Sequence, residues 1–209
     1  HYKTALKLNP GSAIAMLEYA DGLVMLEGDK KMKEATKLYQ QGRFDLAMAK
    51  VNAALAQQPK DAQGRFLKGL ILTEQKKTAD AIQVFTGLTE DFPELPEPYN
   101  NLAVLYAGQG NYDKAKASLE LAIHTHPSYS TAYENLGDIY AQLARRSYDK
   151  VLQLDKTNTS AQSKLAMVKD LFGGPGKGPA VVAAAPTAIV SPPPSTTTSA
   201  SPSAALGRF

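Results

Sequence analysis

From the start of the chain to residue 172, apolar side chains recur at helical spacing, and Gly or Pro interrupts them at regular intervals. Leu119, Ala122 and Ile123, for example, line one helix face just ahead of Pro127. Pro59, Pro93 and Pro127 are evenly spaced, and their interval of about 34 residues is a repeat period in its own right. Midway between successive prolines the pattern breaks again, at Gly42 and Gly110, with Lys76-Lys77 in the same place between them. Each period therefore predicts two antiparallel helices joined by a tight turn and stopped by a proline, which lacks an N–H and clashes with the preceding turn.

Two intervals depart from the period. Lys156 holds the next proline position but follows Pro127 too soon for a full period, and the missing residues are those of the turn. Tyr133, Leu136, Gly137 and Tyr140 run straight into Leu143, Ser147, Tyr148, Val151 and Leu154, which predicts one continuous helix over about 131–154. At the other end, the stretch from Pro10 to Pro59 exceeds the period by roughly one extra helix. Residues 12–27 supply a helix with Ala20 and Leu23 on its packing face. The helix near 29–41 then fits two phases. Ala35 and Tyr39 suit the second helix of a pair, whereas Ala35 and Leu38 before Gly42 suit the first. A last helix follows Thr157–Thr159, whose hydroxyls are expected to cap it, with Ala161, Leu165, Val168 and Phe172 along one face and Gly173-Gly174 after it. It is expected to cover the open end of the stack.

A helix pair repeating at this period resembles the tetratricopeptide repeat (TPR). Residues 96–129 carry its pattern best, with Tyr99, Leu102, Ala103 and Tyr106 on the first helix and Ala115, Leu119, Ala122 and Pro127 on the second. Residues 62–95 keep Gly69, Leu72, Ala81, Phe85 and Pro93 but have Lys68 where Leu is usual. Residues 28–61 keep Ala35, Leu38, Ala47, Val51, Ala54 and Pro59. Tyr2, Ala5 and Pro10 would close a still earlier second helix, so the chain reads as opening within a repeat. The resemblance implies an all-α fold, a right-handed α-α superhelix over 1–172. Its units are about 1–27, 28–61, 62–95, 96–129 and 130–156, with a capping helix at 158–172.

The resemblance also implies where a partner binds. First helices of TPR pairs line a concave face that takes peptides or partner helices. Here that face would present Phe66, Leu70 and Thr73, then Asn100, Asn101 and Val104, then Glu134, Asn135 and Asp138. Asn side chains could bond a peptide backbone as donor and acceptor, and the apolar members could take an anchor. The Lys and Arg with which chaperone-docking TPRs clamp a terminal carboxylate are missing, since those places hold Met32, Thr36, Leu67, Glu97 and Asn101.

Composition narrows the chemistry. From Gly173 onward, 29 of 37 residues are Pro, Gly, Ala, Ser or Thr, so a disordered tail or linker is expected at 173–209. The formal net charge is +3, and Lys177 and Arg208 of that acid-free segment account for two of it. A near-neutral body has no basic footprint for nucleic acid, so none is expected as a partner. No stretch is long and apolar enough to span a bilayer, so no membrane insertion is expected. The absence of Cys removes thiolate nucleophiles and thiolate zinc sites. His124 and His126 read as surface residues at a helix end, and Gly173 to Gly178 lacks the strand and the Ser or Thr of a phosphate loop. No catalytic residue, metal or cofactor is expected. The spacing of Tyr99, Tyr106, Tyr133, Tyr140 and Tyr148 predicts core packing.

The expected function is that of a non-catalytic scaffold for a protein or peptide partner. The alternative is an accessory domain of a larger assembly tethered through the Pro-rich segment, and self-association through the repeat ends is a third reading. An array followed by an Ala/Pro/Ser/Thr tail resembles bacterial cell-envelope TPR proteins, which implies a periplasmic setting, with the cytoplasm as the alternative.

Overall fold

The computed structural model describes residues 28–172, with side chains to 170, and among them are eight helices and no strand. They are α1 (28–40), α2 (Phe44–Leu55), α3 (Ala62–Glu74), α4 (Thr78–Asp91), α5 (Pro96–Gly108), α6 (Tyr112–Thr125), α7 (Ser130–Leu154) and α8 (Thr159–Phe172). The expectations for 1–27 and for 173–209 lie outside the described residues. Each helix packs on the next along the chain, so the architecture is the all-α solenoid expected. No described helix is long and apolar enough to cross a membrane.

Three turns set the pairing. The amide of Gly42 donates to the Tyr39 carbonyl and that of Arg43 to the Leu38 carbonyl, both at 2.9 Å. Lys76 and Lys77 repeat this pair of bonds onto Thr73 and Leu72, and Gly110 and Asn111 repeat it onto Ala107 and Tyr106. This is the Schellman closure, which needs a left-handed residue. Gly42 (φ +72°), Lys76 (φ +61°) and Gly110 (φ +75°) supply it, and only the lysine does so against its own Cβ.

Small residues let the backbones approach. Ala35, Ala47, Ala81, Ala103, Ala115 and Ala122 have no exposed surface. Phe85 is equally buried, edge-on to Phe66 with ring centroids 5.5 Å apart. It lies so close over Gly69 that a Cβ there would sit 2.6 Å from its ring. The two-way reading of 29–41 is settled by packing. Met32 and Ala35 of α1 join Ala47, Val51 and Ala54 of α2 and Leu67 and Ile71 of α3 in one cluster, with Leu38 against it. Thus α1 is the first helix of its pair.

The continuous helix is present as α7, 25 residues from Ser130 to Leu154, about 37 Å at 1.5 Å per residue. Two details differ from expectation. Asn158, rather than a Thr hydroxyl, caps α8, its Oδ1 accepting from the Ala161 amide at 2.9 Å, while the Thr157 hydroxyl donates to Asp155. Tyr133 and Tyr140 are not core residues, being 51% and 49% exposed. Their equivalents Tyr99 and Tyr106 pack in the cluster of Ala115 and Leu119 because α6 folds back over them. With no turn in α7, the chain returns only at 155–158, and the 14 residues of α8 span little more than half of α7.

Candidate functional site

The first helices α3, α5 and α7 put equivalent side chains in register once per repeat period. Phe66, Asn100 and Glu134 share one position, and Leu70, Val104 and Asp138 share the next turn. The α3 members are closed off. Phe66 and Leu70 are each 2% exposed and belong to the cluster with Ala81, Phe85 and Leu102. They offer no apolar anchor at the surface, because Phe85 fills the pair so tightly that both are drawn into the core. Thr73 is half-buried, and its hydroxyl donates to the Gly69 carbonyl at 2.9 Å.

The α5 and α7 members divide into a buried layer and an open one. Asn100 and Asn135 have no exposed surface, and Asn135 Nδ2 donates to Asn100 Oδ1 at 2.7 Å. Asn101, 2% exposed, donates to the Glu97 carbonyl one turn back at 2.9 Å. The Asn100–Asn135 bond ties α5 to α7, whereas that of Asn101 stays within α5. Open to solvent are Glu134, which is exposed, and Val104 and Asp138, which are half-buried.

The open layer is acidic. Burial, and secondarily the neighbouring Glu134 charge, raises the Asp138 carboxyl above its ordinary value. Beside this row lies a pair that the sequence pattern does not single out. Burial, reinforced by the Glu97 charge, pushes the Tyr129 phenol up to about 12. The Glu97 Oε2 atom and the Tyr129 hydroxyl are both buried without a hydrogen-bond partner. The signal for Glu97 is its place one turn before Asn101 on the same face; nothing in the local sequence brings Tyr129 near it, because that proximity comes from helix stacking. What the arrangement offers at its surface is the Glu134 and Asp138 carboxylates, suited to accepting donors and cations.

Two family models described as tetratricopeptide repeat match this chain, over residues 32–96 and 72–137. Among curated proteins it is similar to the chloroplastic tetratricopeptide repeat domain-containing protein PYG7 of Arabidopsis thaliana, at 36% identity over 95 residues, 43% of this chain and 31% of that protein. The chain spans less than half the length of the curated relatives it matches. Among solved structures, the PilF protein of Pseudomonas aeruginosa superposes with a TM-score of 0.54 at 19% identity, covering 71% of this chain and 70% of that one. The first TPR domain of Spaghetti (RPAP3), bound to the HSP90 peptide SRMEEVD, gives 0.53 at 17% identity, covering 57% of this chain and 94% of that one. At such identities these structures speak for the fold.

Proposed function

Because the chain belongs to the tetratricopeptide repeat family, we propose that it is a non-catalytic protein-interaction module that holds an extended peptide or partner segment along its concave face. The observation that carries this reading is the graded opening of one structural row, from buried Leu70 through half-buried Val104 to half-buried Asp138 with exposed Glu134 beside it. Val104 gives a guest a small apolar contact, and the two carboxylates favour a segment that brings Lys, Arg or free amide donors. Chaperone tails, which are anionic, do not suit this row.

The bacterial cell envelope is the setting we favour, from the Ala/Pro/Ser/Thr segment that follows the repeats, and fractionation of the source cells tests it. A second reading, a module within a larger assembly, draws on the greater length of the curated relatives.

Fluorescence anisotropy tests the concave site with the full chain and a short labelled peptide of alternating Lys and Ala. Binding should weaken about tenfold in the Glu134→Gln/Asp138→Asn double variant and on replacing the peptide lysines by Gln. Equal binding by that variant would sink the reading.

A further inference from the structure

One turn beyond Asp138, the same side of α7 changes character. Gln142, Arg145, Arg146, Asp149 and Lys150 line a cleft of about 600 Å³, whose other wall is Tyr112 at the start of α6. The cleft follows from the missing turn. Ala144 stands one repeat period after Gly110, where earlier pairs fold back, yet α7 continues and carries these side chains beyond the first turn of α6.

Its chemistry is unlike that of the concave row. Three cations face one carboxylate. Arg145 and Lys150 make no ion pair with any described residue, and Arg146 reaches Asp113 only at 3.9 Å, with both side chains largely exposed. Gln142 is 7% exposed as a residue, and its side chain lines the cleft beside the three cations.

We propose that this cleft is a second binding site, for an acidic peptide segment of a partner protein. Charge complementarity selects carboxylates, which Arg can take in bidentate fashion. The Gln142 amide selects a peptide over a phosphate, because it presents both a donor and an acceptor, matching a backbone N–H and C=O together. A phosphate would use only the donor. Residues 173–209 are excluded by sign, since their only charged side chains are Lys177 and Arg208. This site does not depend on the concave row, whose guest has the opposite charge.

The test uses the full chain and a short fluorescein-labelled peptide of alternating Glu and Ala, read by anisotropy at low and high salt. Binding should fall about tenfold or more in the Arg145→Glu/Arg146→Glu variant, and likewise with salt or with Gln in place of Glu. Asp149→Asn should tighten it. Both arginines are exposed, so circular dichroism of the reversed variant should match that of the parent. Glu134→Gln/Asp138→Asn should leave this binding intact, which separates failure here from failure of the concave-face reading. Absence of binding at millimolar peptide, indifference to the arginine reversal, or tighter binding of a short oligothymidine would overturn the proposal.

Discussion

Asn135 donates a buried hydrogen bond to Asn100 across a sequence distance of 35, one repeat period plus a residue. The bond therefore ties the first helix of one unit to the first helix of the next, beneath the row that faces solvent. Replacing Asn135 by Ala removes the donor from a site with no access to water. The expected loss is about 1–3 kcal/mol in urea unfolding, and a double-mutant cycle with Asn100→Ala should be markedly non-additive.

Lys76 is the one described non-glycine residue with positive φ. It performs the task that Gly42 and Gly110 perform without strain. Left-handed backbone costs an L-residue about 1–2 kcal/mol, and the extra freedom of glycine in the unfolded chain offsets part of any gain. Lys76→Gly should raise stability by about 0.5–1 kcal/mol, seen as a higher thermal midpoint. Gly110→Val should lower it.

Gly69 and Gly137 hold the same place in their repeats but should respond in opposite ways to alanine. A Cβ at Gly69 would press on the Phe85 ring, whereas a Cβ at Gly137 meets nothing within 4 Å. Gly69→Ala should destabilise by about 1–3 kcal/mol through overpacking. Gly137→Ala should stabilise α7 by about 0.5–1 kcal/mol, the helix-propensity difference. Chemical denaturation of the two single variants checks both signs.

Asp138 has its carboxyl raised by burial and by Glu134, so the folded protein holds this proton more tightly than the unfolded chain. With more protons bound in the native state, stability contributed by this site falls as pH rises through the carboxylate range. Asp138→Asn should therefore be more stable than the parent at neutral pH, and the difference should vanish below the unfolded carboxylate value. Thermal melts across that range test the sign. A residue that costs stability at neutral pH is consistent with a role in binding.

Much of the fold could be read from proline spacing and from the missing turn, because both act locally on the backbone. That Tyr133 and Tyr140 lose their covering helix emerges only in the structure, against the core packing their spacing predicts. Periodicity alone treats them like Tyr99 and Tyr106, since a side chain's spacing does not say what returns over it. Phe66 and Leu70 show the converse. Their repeat position implies the binding face, but both are packed into the cluster of Ala81, Phe85, Leu88 and Leu102. Glu97 and Tyr129 meet only through stacking of α5 against the loop before α7, which no linear pattern records.

The unbroken course of α7 makes it a ruler. Asp138 and Arg145 lie two turns apart on one rod with no joint between them, about 10 Å along the axis at 1.5 Å per residue. An extended guest advances about 3.3 Å per residue, so opposite charges roughly three residues apart would match both marks at once. Such a guest would gain from effective concentration, its second contact becoming intramolecular once the first is made. A hinge at the position of the missing turn would remove that fixed pitch, and with it the discrimination between correctly and incorrectly spaced partners.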